Sequence, residues 1–380
     1  ITIFFGVANS SLRTANSDAF IGGEYTISSS RLNVRCLIFG PNTNIMRLNS
    51  KAFFALMLCF NLYSALLAQT STNFKILFGS CNKVDLPNPF WEDMTARNAD
   101  LFIWGGDVIY ADTEDMEKMK AMYTEQLANT AYRNFIEELP VMGTWDDHDY
   151  GINDGGAAYA KKQQSQQLFL DFIGTAKDAP ARSREGVYAA KTFVKAGKTI
   201  KIIVLDTRYF RTDLAPSTNP EKRYRKIKRG TILGEAQWEW FKEELAEATD
   251  FTIIMSSIQL LSAQHGFETW GNLPKEVKRF EKALNKSKAQ AVLVLSGDRH
   301  ISEFSRKKVK GLDYPLIDFT SSGLTHSYTE YDGEPNRYRV GNVVSTRSYG
   351  MVNIDLESNR IAMKIIGVGG EILGELQQDY

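Results

Sequence analysis

The sequence contains little cysteine, little histidine and no excess of charge of either sign. Its 380 residues include three cysteines and four histidines, and 45 lysines and arginines balance 45 aspartates and glutamates. With no net charge, nothing global favours a nucleic-acid or anionic-membrane partner, so any charge-dependent function must be local. Apolar residues are abundant, at 43%, and can bury a large core as one large domain or two.

An export signal is predicted near the start of the chain. From Met46 a short segment with Arg47 and Lys51 leads into an apolar run that ends near Ala68. Residues 46–68 therefore have the layout of a secretory signal peptide, and the run is short for a membrane span. We expect cleavage near Ala68 and a periplasmic, cell-surface or secreted protein without a stable membrane span. An uncleaved anchor is the alternative.

Residues 1–45 precede this signal and show no sustained periodicity. We interpret them as a non-native upstream extension, because an export signal works poorly from an internal position, and expect one domain over residues 69–380. Cys36 and Cys59 then fall outside the mature protein, and Cys81 has no disulfide partner. In an oxidising compartment such a cysteine is a buried inert residue, a reactive thiol or a metal ligand.

The body of the chain alternates strands with helices. Strands are predicted from short apolar runs that stop at Gly, Ser or Asp, namely FKILFGS, LFIWGG, PVMGTW, IKIIVLD, FTIIMSS and AVLVLSG. The clearest helix is LGEAQWEWFKEELAEA, in which Trp238, Phe241 and Leu245 recur at helical spacing. Beyond residue 312, three runs are typical of consecutive strands in an antiparallel addition. The fold class is α/β or α+β with a large mixed sheet.

Side chains able to bind metal follow four of these strands. In chain order they are Cys81, then Asp107 and Tyr110, then Asp146, Asp147 and His148, then Asp298 and His300. Ligands bind at the carboxyl ends of strands in open α/β sheets, and so many anionic groups on one rim repel unless cations lie among them. Each residue also has a structural interpretation, such as a helix cap for Asp107 or a core position for Tyr110. Their joint occurrence favours a metal site.

Six spaced motifs resemble those of the PhoD-like alkaline phosphatases, the alkaline phosphatase D family of the metallophosphoesterase superfamily. In order they are GSC (79–81), GGDVIYAD (105–112), TWDDHD (144–149), LDTRYFR (205–211), LGEAQWEWF (233–241) and SGDRHISE (296–303). The resemblance covers residues 74 to 368, and six motifs in the same order rarely coincide by chance. It implies a four-layer αββα sandwich with mixed sheets.

The resemblance also implies a ligand set for a centre of two or more metals. Asp107 matches the bridging ligand; Cys81, Tyr110 and His300 match ligands of ferric iron; Asp147 and Asp298 match ligands on the side of the second metal. Family members of this type pair Fe³⁺ with Ca²⁺, and another divalent ion is possible at the second position. The split of soft and hard ligands agrees with that pairing. The sequence leaves open whether Asp146 or Asp147 is the ligand.

Three residues are predicted to act on the substrate side. His148 is expected to stabilise the charge that develops on phosphorus or to protonate the leaving group, Arg208 to bind phosphate, and Asp146 to contribute to substrate binding. Arg208 has an alternative role as a structural ion pair, and Arg299 is expected to lie behind the site. With the bridging Asp107, His148 and Arg208 form the predicted catalytic set.

Three functions are compatible with these residues. The leading one is an exported phosphoesterase that hydrolyses phosphomonoesters, phosphodiesters or both by attack of metal-activated hydroxide. The second is a dedicated phosphodiesterase acting on cell-wall or lipid head-group phosphodiesters. The third is a non-catalytic, calcium-stabilised binding module, which has no need of a thiolate or an imidazole. We expect a monomer that takes a small phosphoester substrate and no specific nucleic-acid partner.

Overall fold

The computed structural model describes residues 25–29, 32–36 and 72–380. The chain divides into two units, residues 1–69 and residues 70–380. In the first unit, strands β1 (Tyr25–Ser29) and β2 (Leu32–Cys36) form an antiparallel pair. The predicted signal peptide, residues 46–68, lies outside the described residues, so it stays a prediction, as do the domain boundaries. Within the described ranges, no helix is long and apolar enough to cross a membrane.

The second unit contains two large mixed sheets. Its strands are β3 (Asn73–Gly79), β4 (Leu101–Gly105), β5 (Val141–Thr144), β6 (Ala189–Lys195), β7 (Lys198–Val204), β8 (Ala215–Pro216), β9 (Tyr224–Arg225), β10 (Phe251–Met255), β11 (Val292–Ser296), β12 (Ser302–Lys307), β13 (Leu316–Ser321), β14 (Arg339–Val344), β15 (Ser348–Asp355), β16 (Arg360–Gly367) and β17 (Ile372–Asp379). One sheet has six strands in the order β17-β16-β15-β3-β4-β5, and the other has seven in the order β14-β12-β13-β11-β10-β7-β6. Strands β8 and β9 form a separate short pair.

Helices cover the outer face of each sheet. They are α1 (Trp91–Ala96), α2 (Met116–Ala128), α3 (Thr130–Glu137), α4 (Asp147–Tyr150), α5 (Lys162–Phe172), α6 (Gly234–Ala246) and α7 (Pro274–Asn285). Buried side chains of α1 to α5 pack on the six-stranded sheet, around Trp104. Those of α6 and α7 pack on the seven-stranded sheet, where the predicted apolar face of α6, with Trp238, Phe241 and Leu245, is buried.

A third core lies between the two sheets. Alternate residues of each strand enter it, as Ile76 and Phe78 do from β3, while Leu77 points into the helical layer. This is the alternation expected of strands that are buried on both faces. Three cores separate four layers, and the predicted αββα sandwich with mixed sheets is therefore confirmed.

Two details of the sequence prediction were wrong. The strands after residue 312 do not form one antiparallel addition, because β13 runs parallel to β11 while β15 and β16 join the other sheet. Strands β6 and β14 were missed because both are edge strands whose polar, partly exposed residues hide the apolar pattern.

The carboxyl ends of the parallel strands bring distant loops together. In the six-stranded sheet β3, β4 and β5 are parallel, and in the seven-stranded sheet β7, β10, β11 and β13 are parallel. The loops are tied by backbone hydrogen bonds: Asn82 N–H donates to Asp107 O at 2.8 Å, and Gly323 N–H donates to Ser80 O at 3.2 Å. The candidate ligands therefore lie on loops from both sheets rather than from one.

Candidate metal centre

Four predicted ligands lie where the backbone turns sharply after a strand. Cys81, Asp107, Asp298 and His300 have φ values of 60°, 51°, 70° and 55°. This left-handed conformation is uncommon for residues other than glycine and persists only where the surrounding structure holds it. Such strained positions cluster at functional sites, and all four of these residues belong to groups whose ligand atoms lie close together.

The first group of ligands contains the softer donors. Ligand atoms of Cys81, Asp107 and His300 all lie within 4.8 Å of one another. The Sγ of Cys81 is 3.3 Å from Oδ2 of Asp107, and the hydroxyl of Tyr110 is 3.2 Å from that oxygen and 3.0 Å from Nε2 of His300. The structure thus brings together the four side chains that the sequence assigned to iron.

The second group contains mainly carboxylates and shares Asp107 with the first. Ligand atoms of Asp107, Asp147 and His148 lie within 4.8 Å of one another, as do those of Asp146, Asp147 and Asp298. Asp147 belongs to both sets, and its Oδ1 accepts a hydrogen bond from His148 N–H at 3.1 Å. Asp107 thus lies between a thiol, phenol and imidazole on one side and carboxylates on the other, which is the position required of a bridging ligand.

Asp146 and Arg208 form a buried ion pair behind the ligands. Both are fully buried, and Asp146 Oδ1 is 2.6 Å from Nε and 2.5 Å from an Nη atom of Arg208. The other Nη atom of Arg208 is 2.5 Å from Glu268. Neither side chain is exposed to solvent, and the substrate-binding roles of Arg208 and Asp146 stay predictions. The arrangement matches the structural ion pair, with Asp146 and Glu268 as partners.

Between Asp146 and Asp147, the geometry favours Asp147 as the ligand next to Asp107. One oxygen of Asp146 is occupied by Arg208 and by the hydroxyl of Ser257 at 2.6 Å. Asp147 lies farther from the guanidinium, at 3.8 Å from the nearest Arg208 nitrogen. The remaining buried oxygen of Asp146 has no hydrogen-bond partner and faces the set it forms with Asp147 and Asp298.

The side chains of the centre shift one another's pKa values strongly. Burial, followed by repulsion from Cys81 and Asp147, raises the pKa of Asp107 well above its usual range. Burial likewise raises the pKa of the Cys81 thiol to about 11 and lowers that of His300 to about 3. Without a cation, burial and mutual repulsion keep such thiol and carboxyl groups protonated. Bound cations attract the thiolate and carboxylate forms and therefore lower these pKa values.

His148 is held by a carboxylate that the sequence analysis did not assign. Its Nδ1 is 2.7 Å from Oδ2 of Asp112, and its ring lies against Tyr110 with ring centroids 4.1 Å apart. Burial lowers the pKa of His148, but the hydrogen bond that its Nδ1–H donates to Asp112 and the charge of Asp147 outweigh burial, so the pKa is raised overall. A carboxylate on Nδ1 fixes the ring orientation and leaves Nε2 to interact with a ligand.

An open cleft of about 310 Å³ lies over these ligands. It is lined by Asp107, Asp147, His148, Asn153, Asp154, Arg223, Phe267, Glu268, Asp298, Arg299, His300 and Tyr328. A larger cavity of about 450 Å³ lies at the amino ends of β7, β10 and β11, away from all the predicted ligands. We place the functional site at the smaller cleft, because predicted ligands line it and none lines the larger cavity.

The cleft changes the expected roles of several residues. Arg299, expected behind the site, lines the cleft, where it pairs with Glu334 at 2.7 Å and covers the ring of Phe267. Asp154 and Glu268 were missed; with Asp147 they form a further acidic group at the cleft. Their sequence context, in loops without a strand-end pattern, gave no signal of this.

The comparisons with known proteins agree with this geometry. The sequence profile of the PhoD-like phosphatase family matches residues 76–364. A solved structure described as that of PhoD is similar at a TM-score of 0.64 and 16% identity, over 81% of this chain and 68% of that one. A dimetal phosphatase from Danio rerio is similar at a TM-score of 0.51 and 12% identity, over 81% of this chain and 99% of that one. No curated protein sequence matches the chain. At these identities the two structures show that the fold is shared.

Proposed function

Because the chain belongs to the PhoD-like phosphatase family and is a metal-dependent phosphoric ester hydrolase, we propose that its centre pairs ferric iron with calcium. The observation behind this proposal is that Asp107 is shared by two ligand sets of different chemistry. Thiolate, phenolate and imidazole suit iron, whereas carboxylate oxygens suit calcium. Cys81, Tyr110 and His300 would hold the iron, and Asp147 and Asp298 would hold the second ion.

The charges in the site support a centre with more than one cation. Asp107, Asp146 and Asp147 are buried beside Asp298, and of these four carboxylates only Asp146 and Asp147 form an ion pair with Arg208. Buried oxygens of Asp146 and Asp298 also lack a hydrogen-bond partner. Burying unpaired carboxylates is costly, and metal ions are the partners that such groups usually have. The donor set therefore fits the proposed metals.

Side chains that line the cleft have separate roles in the proposed hydrolysis. When bound, the cations lower the pKa of water and neutralise phosphate charge. His148 lines the cleft with Nδ1 held by Asp112, which leaves Nε2 to donate a proton to the leaving-group oxygen or to stabilise negative charge on the phosphoryl group. Arg299 and Arg223, rather than Arg208, are the arginines that line the cleft, where a guanidinium can bind two phosphate oxygens.

The alternative of a non-catalytic calcium module fits the site less well. A calcium site needs oxygen ligands, whereas the sulfur of Cys81 and the imidazole of His300 lie within 4.8 Å of Asp107. A histidine oriented by a carboxylate at an open cleft also has no structural purpose in a calcium site. We therefore favour hydrolysis of phosphomonoesters or phosphodiesters, with export directed by residues 46–68.

A visible absorption spectrum with metal analysis tests this proposal. The wild-type protein, purified without chelator, is expected to contain iron and calcium and to show a tyrosinate-to-iron charge-transfer band. Tyr110→Phe removes only the phenol oxygen and should abolish the band. Tyr328→Phe, also at the cleft but outside the ligand groups, is the matched control and should keep it. A wild-type protein without iron, or a band that survives in Tyr110→Phe, would refute the iron assignment.

A further inference from the structure

A segment at the rim of the cleft contains a local excess of positive charge. Residues 221–230 include Lys222, Arg223, Arg225, Lys226, Lys228 and Arg229 but only one carboxylate, Glu221, in a chain whose net charge is zero. All six cations are exposed, whereas Tyr224 and Ile227 between them are half-buried. We call these six cations the basic strip.

Hydrogen bonds hold the segment that carries the basic strip against the rest of the domain. The Tyr224 N–H donates to Gly266 O at 3.0 Å, and the Ile227 N–H donates to Asn272 O at 2.8 Å. The Tyr224 hydroxyl donates to Oδ2 of Asp154 at 2.6 Å. The two half-buried residues thus anchor the segment while the charged residues around them face solvent.

One end of the basic strip is part of the cleft wall. Arg223 lines the cleft together with Asp147 and His148, and its guanidinium is 2.8 Å from Asp154. About half of its side chain, 52%, remains exposed. The backbone of Lys222 passes close to Gly266, beside the cleft residue Phe267. An anion bound over the ligands therefore has the basic strip as its neighbour.

Most of the basic strip has no carboxylate partner. In the part of the chain that the structure describes, Arg223 pairs with Asp154, but no ion pair involves Lys222, Arg225, Lys226, Lys228 or Arg229. Charges of one sign that lack partners raise the local potential and attract counter-ions, most strongly at low ionic strength.

We infer that the basic strip binds the anionic chain of an extended substrate beyond the phosphate held in the cleft. This rests on the proposed function and specifies its substrate as a linear polyanion with repeated phosphate groups. Of the six cations only Arg223 lines the cleft, so the other five lie outside the cavity that holds a single phosphate group. Arginine and lysine are the side chains that bind phosphate oxygens. Within 72–380 no large exposed apolar residue belongs to the segment, so the strip lacks the apolar anchor typical of membrane-binding surfaces.

The test uses binding, so that it does not depend on turnover. The probe is fluorescently labelled short-chain inorganic polyphosphate, with calcium in excess, and the readout is fluorescence anisotropy at two salt concentrations. The variant is Lys226→Glu/Lys228→Glu/Arg229→Glu. The matched control is Lys282→Glu/Lys286→Glu/Lys288→Glu, three exposed lysines on and after α7 that form no ion pair in the described structure and lie outside the cleft.

We expect the strip variant to bind polyphosphate at least about ten-fold more weakly than wild type, the control to bind as wild type does, and wild-type affinity to fall with salt. An equal loss in both variants, or no binding by wild type, would overturn the inference. So would binding of the wild type to phosphatidylglycerol vesicles without binding of polyphosphate. Hydrolysis of p-nitrophenyl phosphate by wild type reports separately on the proposed function, so the two can fail independently.

Discussion

Replacing Arg208 with methionine separates a structural role from a substrate-binding role. The guanidinium is fully buried and lies 2.5 Å from both Asp146 and Glu268. Methionine fills much of the same volume but has no charge, so the substitution leaves Asp146 buried without a cation from the protein. Glu268 keeps a partner in Arg211, whose Nε is 2.9 Å away.

The expected loss follows from the burial of the pair. Removing one partner of a buried ion pair costs about 3–5 kcal/mol, because an uncompensated charge remains inside the protein. For a domain of this size that lowers the melting temperature by roughly 6–10 °C. Because the second carboxylate keeps Arg211, we expect the loss to lie near the lower end, about 3 kcal/mol.

Urea unfolding of wild type and Arg208→Met, at equal protein and metal concentrations, measures the change. The double variant Asp146→Asn/Arg208→Met is the control. It also removes the unpaired carboxylate of Asp146, so its free energy of unfolding should exceed that of Arg208→Met by at least about 1 kcal/mol. If Arg208 bound phosphate instead, Arg208→Met would keep its stability and raise KM for a small phosphoester. That result would refute the structural assignment of this residue.

Three further substitutions test the site. Asp112→Asn weakens the hydrogen bond to His148 Nδ1 and should lower kcat roughly 10–100-fold in steady-state assays. An unchanged kcat would contradict the role of Asp112 in orienting His148. His148→Ala should lower turnover by roughly 100-fold or more while metal content stays near that of wild type, and full turnover would remove His148 from the mechanism. Gly106→Ala places a Cβ 2.4 Å from that of Asp146, at a φ of 96°. Metal analysis should then show a lower metal content, and urea unfolding should show a free energy of unfolding lower by about 1–3 kcal/mol. Wild-type values for both would contradict the tight packing of this loop.

The buried strands could be predicted because they are apolar on both faces, and the four-layer arrangement was implied by the family resemblance. Runs such as FTIIM and VLVLS are unambiguous as buried parallel strands, and both are fully buried in the structure. Which strand joins which of the two sheets could not be predicted, because similar apolar runs suit either sheet. Polar edge strands such as β14 are defined by their neighbours rather than by their own pattern.

The candidate site could be predicted where ligands follow strands directly. Cys81, Asp107, Asp298 and His300 come two to four residues after a strand; the structure groups Cys81, Asp107 and His300, and it groups Asp298 with Asp146 and Asp147. The sequence left two roles open for Arg208 because it does not report burial: the same guanidinium serves as a phosphate ligand at a surface or as an ion pair inside. Arg299 was ranked below it for the same reason, although Arg299, together with Arg223, lines the cleft.

Removal and return of metal tests the central claim most directly. Hydrolysis of p-nitrophenyl phosphate and metal content are measured together in the untreated protein, after chelation, and after addition of iron and calcium. We predict that turnover falls in proportion to the metal removed and returns when both ions are restored. Full turnover in protein shown by metal analysis to contain no metal would contradict the account.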